Sequence, residues 1–208
     1  IKSLPMNWQE FTALLVLATA MSFTPGPNTT LSTALAANHG LRRAMPFVCA
    51  VPVGWSALLV VCTLGLGALV LAVPLLSWSI KLVGVAYLLW LAFKISRSRQ
   101  LSQADAARLN VTFWQGAALQ FVNIKAWMLA LAIVSGWIAG RADTGLRFAV
   151  VLAVMLAFAF ASNLTYALVG SLLRDWLSGP AGTGQRLLWF NRVMAAVLVV
   201  TALWMLFL

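Results

Sequence analysis

The sequence predicts an all-α integral membrane protein, with six transmembrane helices arranged as two inverted three-helix repeats. The 208-residue chain is 62% hydrophobic and only 9% charged, and a soluble domain of this length could not bury so much apolar surface. Apolar runs of about 20 residues, the length that crosses a bilayer core of about 30 Å, recur along the chain. Three spans in each half would give the halves opposite orientations, as an inverted repeat requires. We therefore interpret residues 1–208 as one membrane domain without a soluble domain.

Six apolar segments account for the predicted spans. They are residues 8–38, 46–71, 75–95, 113–139, 147–170 and 187–208. The first three form a repeat of about residues 8–95, and the last three form a repeat of about residues 113–208. Several segments are longer than one straight crossing needs, which indicates tilt or breaks. The Gly136-x-x-x-Gly140 pattern in the fourth segment is typical of close helix packing.

The first span is interrupted by Thr-Pro-Gly-Pro-Asn at residues 24–28. A proline in a helix interior costs about 3 kcal/mol, and lipid cannot satisfy the backbone groups that the break exposes. The break therefore predicts a polar cavity, with a packing kink as the alternative. If Pro27 begins the second half-helix, the amides of Asn28, Thr29 and Thr30 are free at a positive helix end. Such an end favours a carboxylate.

Lys125 lies near the middle of the fourth span, where a lysine costs at least about 2.5–3.5 kcal/mol on insertion scales. It should therefore face a partner or a wet cavity, unless its side chain extends to the membrane surface. The chain has four acidic residues: Glu10, Asp105, Asp143 and Asp175. Only Glu10 falls within a span, near its outer end, so the expected partner of Lys125 is an anionic ligand such as a substrate carboxylate.

The break in the first span and the polar residues around Lys125 supply the candidate binding residues. They are Thr24, Pro25, Gly26, Pro27, Asn28, Thr29, Gln120, Asn123 and Lys125. Their backbone amides, side-chain amides and one ammonium group suit a small anionic or zwitterionic ligand. A hydrogen bond between helices is an equally good interpretation of Gln120, and Asn163 and Tyr166 in the fifth span are similarly ambiguous.

The positions of the basic residues predict that both termini lie outside the cytoplasm. With the N-terminus outside, the inner loops hold Arg42, Arg43, Lys94, Arg97, Arg99, Arg108, Arg174 and Arg186. The outer side then holds Lys2, Arg141 and Arg147 near its helix ends, with Lys81 slightly inside the third span. The net charge of +10 is explained by these loops, so it does not indicate nucleic-acid binding.

Other function classes lack the residues that they need. One histidine and four acids provide no metal cluster and no acid–base pair, so we expect no metal, no cofactor and no enzymatic activity. A thiol or electron carrier of the DsbD/CcdA type needs a reactive cysteine in each half. Cys49 and Cys62 instead share the second span, roughly 20 Å apart along a helix and too far for a disulfide. Lys2 and Ala18-Thr19-Ala20 imitate a signal peptide, but cleavage there would remove the first half of the broken helix.

Several motifs together resemble the LysE/RhtB family of bacterial amino-acid exporters over nearly the whole chain. They are Thr-Pro-Gly-Pro-Asn at 24–28, His-Gly-Leu-Arg at 39–42, the segment 81–91, Phe113-x-x-Gly116 and Gln-Phe-Val-Asn-Ile-Lys at 120–125. The resemblance implies an inner-membrane carrier that expels amino acids or close derivatives against proton entry. Our leading hypothesis is export by alternating access, and the positions of the basic residues predict that both termini are periplasmic. The resemblance leaves open whether the carrier forms a homo-oligomer.

Asn123-Ile124-Lys125 departs from the family pattern, which has Asn-Pro-Lys here. We expect a milder kink without the proline, and a non-proline at this position looks like the cysteine and O-acetylserine exporter branch. Lys125 also favours neutral substrates (cysteine, O-acetylserine, homoserine, threonine or leucine), because a basic substrate would add a cation without a buried carboxylate to receive it. Lysine or arginine export is the alternative, since carbonyl groups or aromatic faces could hold a cation.

Overall fold

The computed structural model describes residues 6–98, 111–179 and 184–207, and every regular element within these ranges is helical. The elements are α1 (Trp8–Phe23), α2 (Pro27–His39), α3 (Leu41–Thr63), α4 (Leu66–Ala72), α5 (Pro74–Ser96), α6 (Phe113–Val122), α7 (Ile124–Ile133), a π-helical turn (Val134–Ile138), α8 (Thr144–Ser178) and α9 (Gln185–Met205). The prediction of an all-α fold is confirmed for the described ranges.

Four helices are long and apolar enough to cross a membrane: α3, α5, α8 and α9. The bent pair of α6 and α7 with its π-helical turn gives a fifth candidate span. The chain is therefore a multi-pass membrane protein. The first predicted span is divided into α1 and α2, of 16 and 13 residues, and neither half is long enough to cross alone.

Two predicted spans have different ends in the structure. The second was expected to reach residue 71, but α3 ends at Thr63 and the separate helix α4 begins at Leu66. Gly65 separates them with a φ of 87°, a left-handed conformation that ends a helix. The fifth span was expected to end at residue 170, whereas α8 continues for 35 residues to Ser178, before Gly179 with a φ of 66°.

The first break is confirmed, with helix ending at Phe23 and resuming at Pro27. Thr24 is extended, and its amide donates to the carbonyl of Ala20 as the last bond of α1. The hydroxyl of Tyr166 on α8 donates to the carbonyl oxygen of Phe23 at 2.9 Å. Tyr166 thus satisfies one of the carbonyls that the break exposes.

The second break is sharper than expected. The missing proline predicted a mild kink, but α6 and the helix after it meet at 71°. Asn123 leaves the helical conformation (φ −98°, ψ 98°), and the indole Nε1 of Trp127 donates to the freed carbonyl of Phe121 at 2.9 Å. A Cβ on Gly84 of α5 would overlap the carbonyl oxygen of Val122, so the backbone at the end of α6 packs directly against α5 at this glycine. These contacts hold the bend without a proline.

Helix α2 lies at the centre of the bundle, where every residue from Thr29 to Asn38 is buried. It packs mainly against α8, while α3 packs against α6 and α8, and α5 packs against α9. Gly170 of α8 contacts the backbone of Thr33, and Gly54 of α3 contacts the backbone of Ala117 on α6. The prediction that Gly136 and Gly140 pack closely against another helix of the chain is wrong for the described residues, because a Cβ on either glycine would meet none of their atoms within 4 Å.

Candidate functional site

A cavity of about 80 Å³ lies where the two breaks meet. The predicted residues in its wall are Thr24, Gly26, Pro27, Asn28, Thr29, Gln120, Asn123 and Lys125. Pro25 is exposed and is not part of the wall. The structure therefore brings together eight of the nine residues that the sequence singled out, from breaks almost 100 positions apart in the chain.

The start of α2 directs backbone amides toward this cavity. The amide of Gly26 donates to the Thr29 hydroxyl at 3.0 Å, and the amide of Thr30 donates to the Gly26 carbonyl at 3.0 Å. The prediction of a free Thr30 amide is therefore wrong, because it makes the first bond of the helix. Pro27 has no amide hydrogen, so the unpaired donors of this turn, within the described residues, are the amides of Asn28 and Thr29.

Lys125 lies in the first turn of α7, beside the start of α2. A Cβ on Gly26 would lie 3.7 Å from the Lys125 ammonium nitrogen, Nζ. Two helix N-termini and one ammonium group therefore meet at the cavity, and all three favour an anion. No acidic residue of the described ranges is among the wall residues.

Asn28 and Gln120 bridge the two halves of the chain through a reciprocal amide pair. Asn28 Nδ2 donates to Gln120 Oε1 at 2.9 Å, and Gln120 Nε2 donates to Asn28 Oδ1 at 3.1 Å. Both interpretations of Gln120 hold, because it lines the cavity and also makes a bond between helices. Since each amide occupies the other, this pair positions α2 against α6.

We expect Gln120→Leu to lower the free energy of unfolding by about 1–2 kcal/mol, because the Asn28 amide would lose its partner. Adding Asn28→Leu removes the second amide and should recover part of that stability. The measurement is thermal unfolding of the detergent-purified single and double variants. Equal losses that simply add in the double variant would show that the two amides do not interact.

Helices α3 and α8 supply further wall residues, of which the sequence interpretation had named only Asn163, with an ambiguous role. From α8 they are Met155, Ala159, Ser162 and Asn163, and from α3 they are Val51 and Trp55. The Ser32 hydroxyl donates to Asn163 Oδ1 at 2.8 Å, which ties α2 to α8. Adjacent polar residues within an apolar span were the signal for Ser162 and Asn163. Nothing in the sequence distinguished Trp55 from the other tryptophans.

An ion-pair cluster links the helices at the end of the bundle where α1 begins. Glu10 Oε2 accepts from Arg147 at 2.9 Å, and Glu10 Oε1 lies 3.3 Å from Arg141. The indole of Trp137 donates to the Glu10 carbonyl at 2.8 Å, while Arg147 donates to the Trp137 carbonyl at 3.3 Å. The cluster joins α1, the π-helical turn and α8. It was missed because these residues are far apart in sequence.

A cluster of uncharged polar residues links the helices at the end of the bundle where α2 ends. Asn38 and Asn191, both buried, exchange amide hydrogen bonds at 2.8 and 2.9 Å. The hydroxyl of Ser98 donates to Asn38 Oδ1 at 3.1 Å, and its carbonyl accepts from Asn191 at 3.1 Å. The cluster joins the ends of α2 and α5 to the start of α9, and it contains no charged group.

The comparisons with known proteins agree on one family. The model of the LysE type translocator matches residues 19–207. The cysteine/O-acetylserine efflux protein of Escherichia coli strain K12 is 32% identical over 163 residues, which cover 76% of this chain and 80% of that protein. Its namesake from Klebsiella pneumoniae is 28% identical over 162 residues, covering 78% and 82%. No solved structure matches the chain. The family match covers nearly the whole chain, and the protein therefore belongs to the LysE type translocator family.

Proposed function

We propose that this protein is an inner-membrane exporter of neutral amino acids, of the cysteine and O-acetylserine type, that works by alternating access. The observation that carries the proposal is the convergence of Lys125 and the start of α2 on a cavity whose described wall contains no carboxylate. The names of the relatives from Escherichia coli and Klebsiella pneumoniae support the choice of substrate.

The substrate carboxylate binds between Lys125 and the unpaired amides of Asn28 and Thr29. A hydrogen bond to a charged group contributes about 1.5–3 kcal/mol, so these donors together can hold a small zwitterion. Met21 and Ser22 line the same cavity at the end of α1, where their carbonyls accept no hydrogen bond within the described residues and the helix dipole is negative. That end of the site receives the substrate ammonium group.

The size and charge of the cavity favour small neutral amino acids. Its volume of about 80 Å³ matches one small solute and not a peptide. A lysine or arginine side chain would bring a second cation into a wall that already contains Lys125. Burying that charge without a carboxylate is unfavourable, so basic amino acids should be exported poorly.

The helix packing supports six spans in two inverted repeats. The broken pair α1 and α2 corresponds to the broken pair α6 and α7, α3 corresponds to α8, and α5 corresponds to α9. Under this correspondence the broken pair α1 and α2 packs against α8, and the broken pair α6 and α7 packs against α3. In alternating access, the Glu10–Arg147 cluster and the Asn38–Asn191 cluster open in turn, one at each end of the cavity.

Both termini should lie in the periplasm. Arg42 and Arg97, near the uncharged cluster of Asn38, Ser98 and Asn191, mark the cytoplasmic end. We expect alkaline phosphatase fused to the C-terminus to be active and green fluorescent protein fused there to be dark. The opposite pair of results would invert the orientation of all the helices.

The proposed function is tested with purified protein reconstituted into vesicles preloaded with radiolabelled amino acids. Cysteine, O-acetylserine, homoserine, threonine and leucine should leave the vesicles faster than lysine and arginine. Protein-free vesicles provide the control, and an imposed pH gradient tests proton coupling, which should accelerate release. Preferred release of lysine or arginine would favour basic amino-acid export, and no release of any amino acid would reject the proposed function.

A further inference from the structure

Trp55 has a hydrogen-bond donor that the described protein leaves unused. Its side chain is 5% exposed, yet its indole nitrogen Nε1 has no acceptor within the described residues. Trp127, another buried tryptophan, instead donates to the carbonyl of Phe121 at 2.9 Å. Most buried donors in folded proteins are paired, so the unpaired indole of Trp55 requires an explanation.

The position of Trp55 provides that explanation. Trp55 forms part of the cavity wall on α3, one helical turn after Val51 and together with Met155 of α8. Lys125 and the start of α2 also contribute to the wall. The carbonyls at the end of α1 receive the ligand's ammonium group, and Asn123 Oδ1, a buried oxygen in the cavity wall without a donor among the described residues, offers it a further acceptor. The groups for the carboxylate and the ammonium are thus accounted for without Trp55, which leaves Trp55 for the substrate side chain.

We propose that Trp55 is a specificity-determining residue, whose indole N–H donates a hydrogen bond to an acceptor on the side chain of the exported amino acid. The inference rests on the proposed function, because it concerns the same cavity. Val51 and Met155 offer apolar contact, so the preferred side chain is short, uncharged and carries an acceptor oxygen. An ester carbonyl, as in O-acetylserine, fits this description.

The same donor disfavours two other classes of amino acid. An indole N–H can only donate, and the side chains of lysine and arginine are also donors only, so they find no partner at Trp55. A purely aliphatic side chain offers the indole N–H no acceptor. A site built around such a polar group discriminates against analogues that lack its partner.

The test compares ligand-induced thermal stabilisation of the detergent-purified protein by O-acetylserine and by norleucine, which lacks a side-chain acceptor. A bound ligand stabilises the folded protein by RT ln(1 + [L]/Kd), so at equal concentration the tighter ligand raises the unfolding temperature more. In the wild-type protein, we expect O-acetylserine to bind about fivefold to tenfold more tightly than norleucine, as one hydrogen bond provides. In Trp55→Phe this preference should disappear, while norleucine binding is unchanged.

Trp137→Phe is the matched control, because it removes an indole N–H that donates to the Glu10 carbonyl at 2.8 Å, and Trp137 is not part of the cavity wall. This variant should unfold at a lower temperature without ligand but keep the preference for O-acetylserine. Retention of the preference by Trp55→Phe would overturn the inference, and so would a wild-type protein that binds norleucine as tightly as O-acetylserine. Either result can occur while the vesicle assay still shows export, so this failure is distinct from failure of the proposed function.

Discussion

Lys125→Met is expected to lower amino-acid export by about tenfold to a hundredfold, the loss that removal of one charge-assisted hydrogen bond causes. The ammonium of Lys125 lies beside Gly26 at the start of α2, where the proposed substrate carboxylate binds. Methionine retains the length of the side chain and removes the charge. The measurement is the initial rate of release from preloaded vesicles, normalised to the amount of reconstituted protein.

The same variant should be at least as stable as the wild-type protein. A lysine without a carboxylate partner is costly within a membrane, so its replacement by methionine relieves that cost. Loss of export together with retained or raised thermal stability is therefore the expected combination. It distinguishes a binding role from a structural one, for which stability would fall with activity.

Lys81→Met is the matched control. The ammonium of Lys81 lies 5.3 Å from the centre of the Trp78 ring on the same helix, and Lys81 is not part of the cavity wall. Its replacement also removes one positive charge from the membrane domain, but it should leave the export rate within about twofold, the small effect of an exposed cation–π contact. Equal losses of export in the two variants would indicate a general effect of charge. Unchanged export by Lys125→Met would reject the role assigned to Lys125.

The sequence predicted the composition of the site better than its geometry. Prolines and a central lysine are expensive in a membrane, and the structure places both breaks and Lys125 at one cavity. The sharp bend at Asn123 was not predictable from propensity, because it depends on contacts with Gly84 and Trp127 that form only in the folded chain. Trp55 was not predictable because its distinguishing property, an indole N–H without an acceptor among the described residues, exists only in the folded chain.

The two polar clusters, Glu10 with Arg147 and Asn38 with Asn191, were also not predictable from local sequence patterns. Glu10 and Arg147 are separated by 137 positions, and Asn38 and Asn191 by 153 positions. Their side chains are ordinary surface or helix residues until tertiary packing brings them together. Local patterns can locate polar groups in apolar spans, but they cannot say which of these groups pair with each other and which remain available for a ligand.

The glycines at which helices pack closely are Gly54 and Gly170 and not the predicted pair Gly136 and Gly140, so substitutions at Gly54 and Gly170 should strongly destabilise the protein. The local pattern at Gly136 and Gly140 packs against nothing, whereas Gly54 and Gly170 contact the backbone of neighbouring helices. A Cβ on Gly54 would overlap the Ala117 carbonyl oxygen, and a Cβ on Gly170 would overlap the Thr33 carbonyl oxygen. Backbone atoms cannot move aside as the end of a flexible side chain can. The helices α3 and α6, or α2 and α8, would therefore have to move apart.

Gly54→Ala and Gly170→Ala should therefore each destabilise the protein by about 3 kcal/mol, the upper part of the range for overpacked cores. The expected decrease in unfolding temperature is roughly 6–12 °C for a chain of this size, measured on detergent-purified protein. An unchanged unfolding temperature in either variant would contradict the close backbone contact at that glycine.

Gly145→Ala provides the control within the same helix as Gly170. Gly145 lies in the first turn of α8, and a Cβ there would meet no atom within 4 Å. Alanine favours a helix over glycine by about 1 kcal/mol, so this variant should unfold at the same or a higher temperature. If Gly170→Ala were as stable as Gly145→Ala, α2 and α8 could not cross at Thr33. The central position of α2, on which the direction of its amides toward the cavity depends, would then be wrong as well.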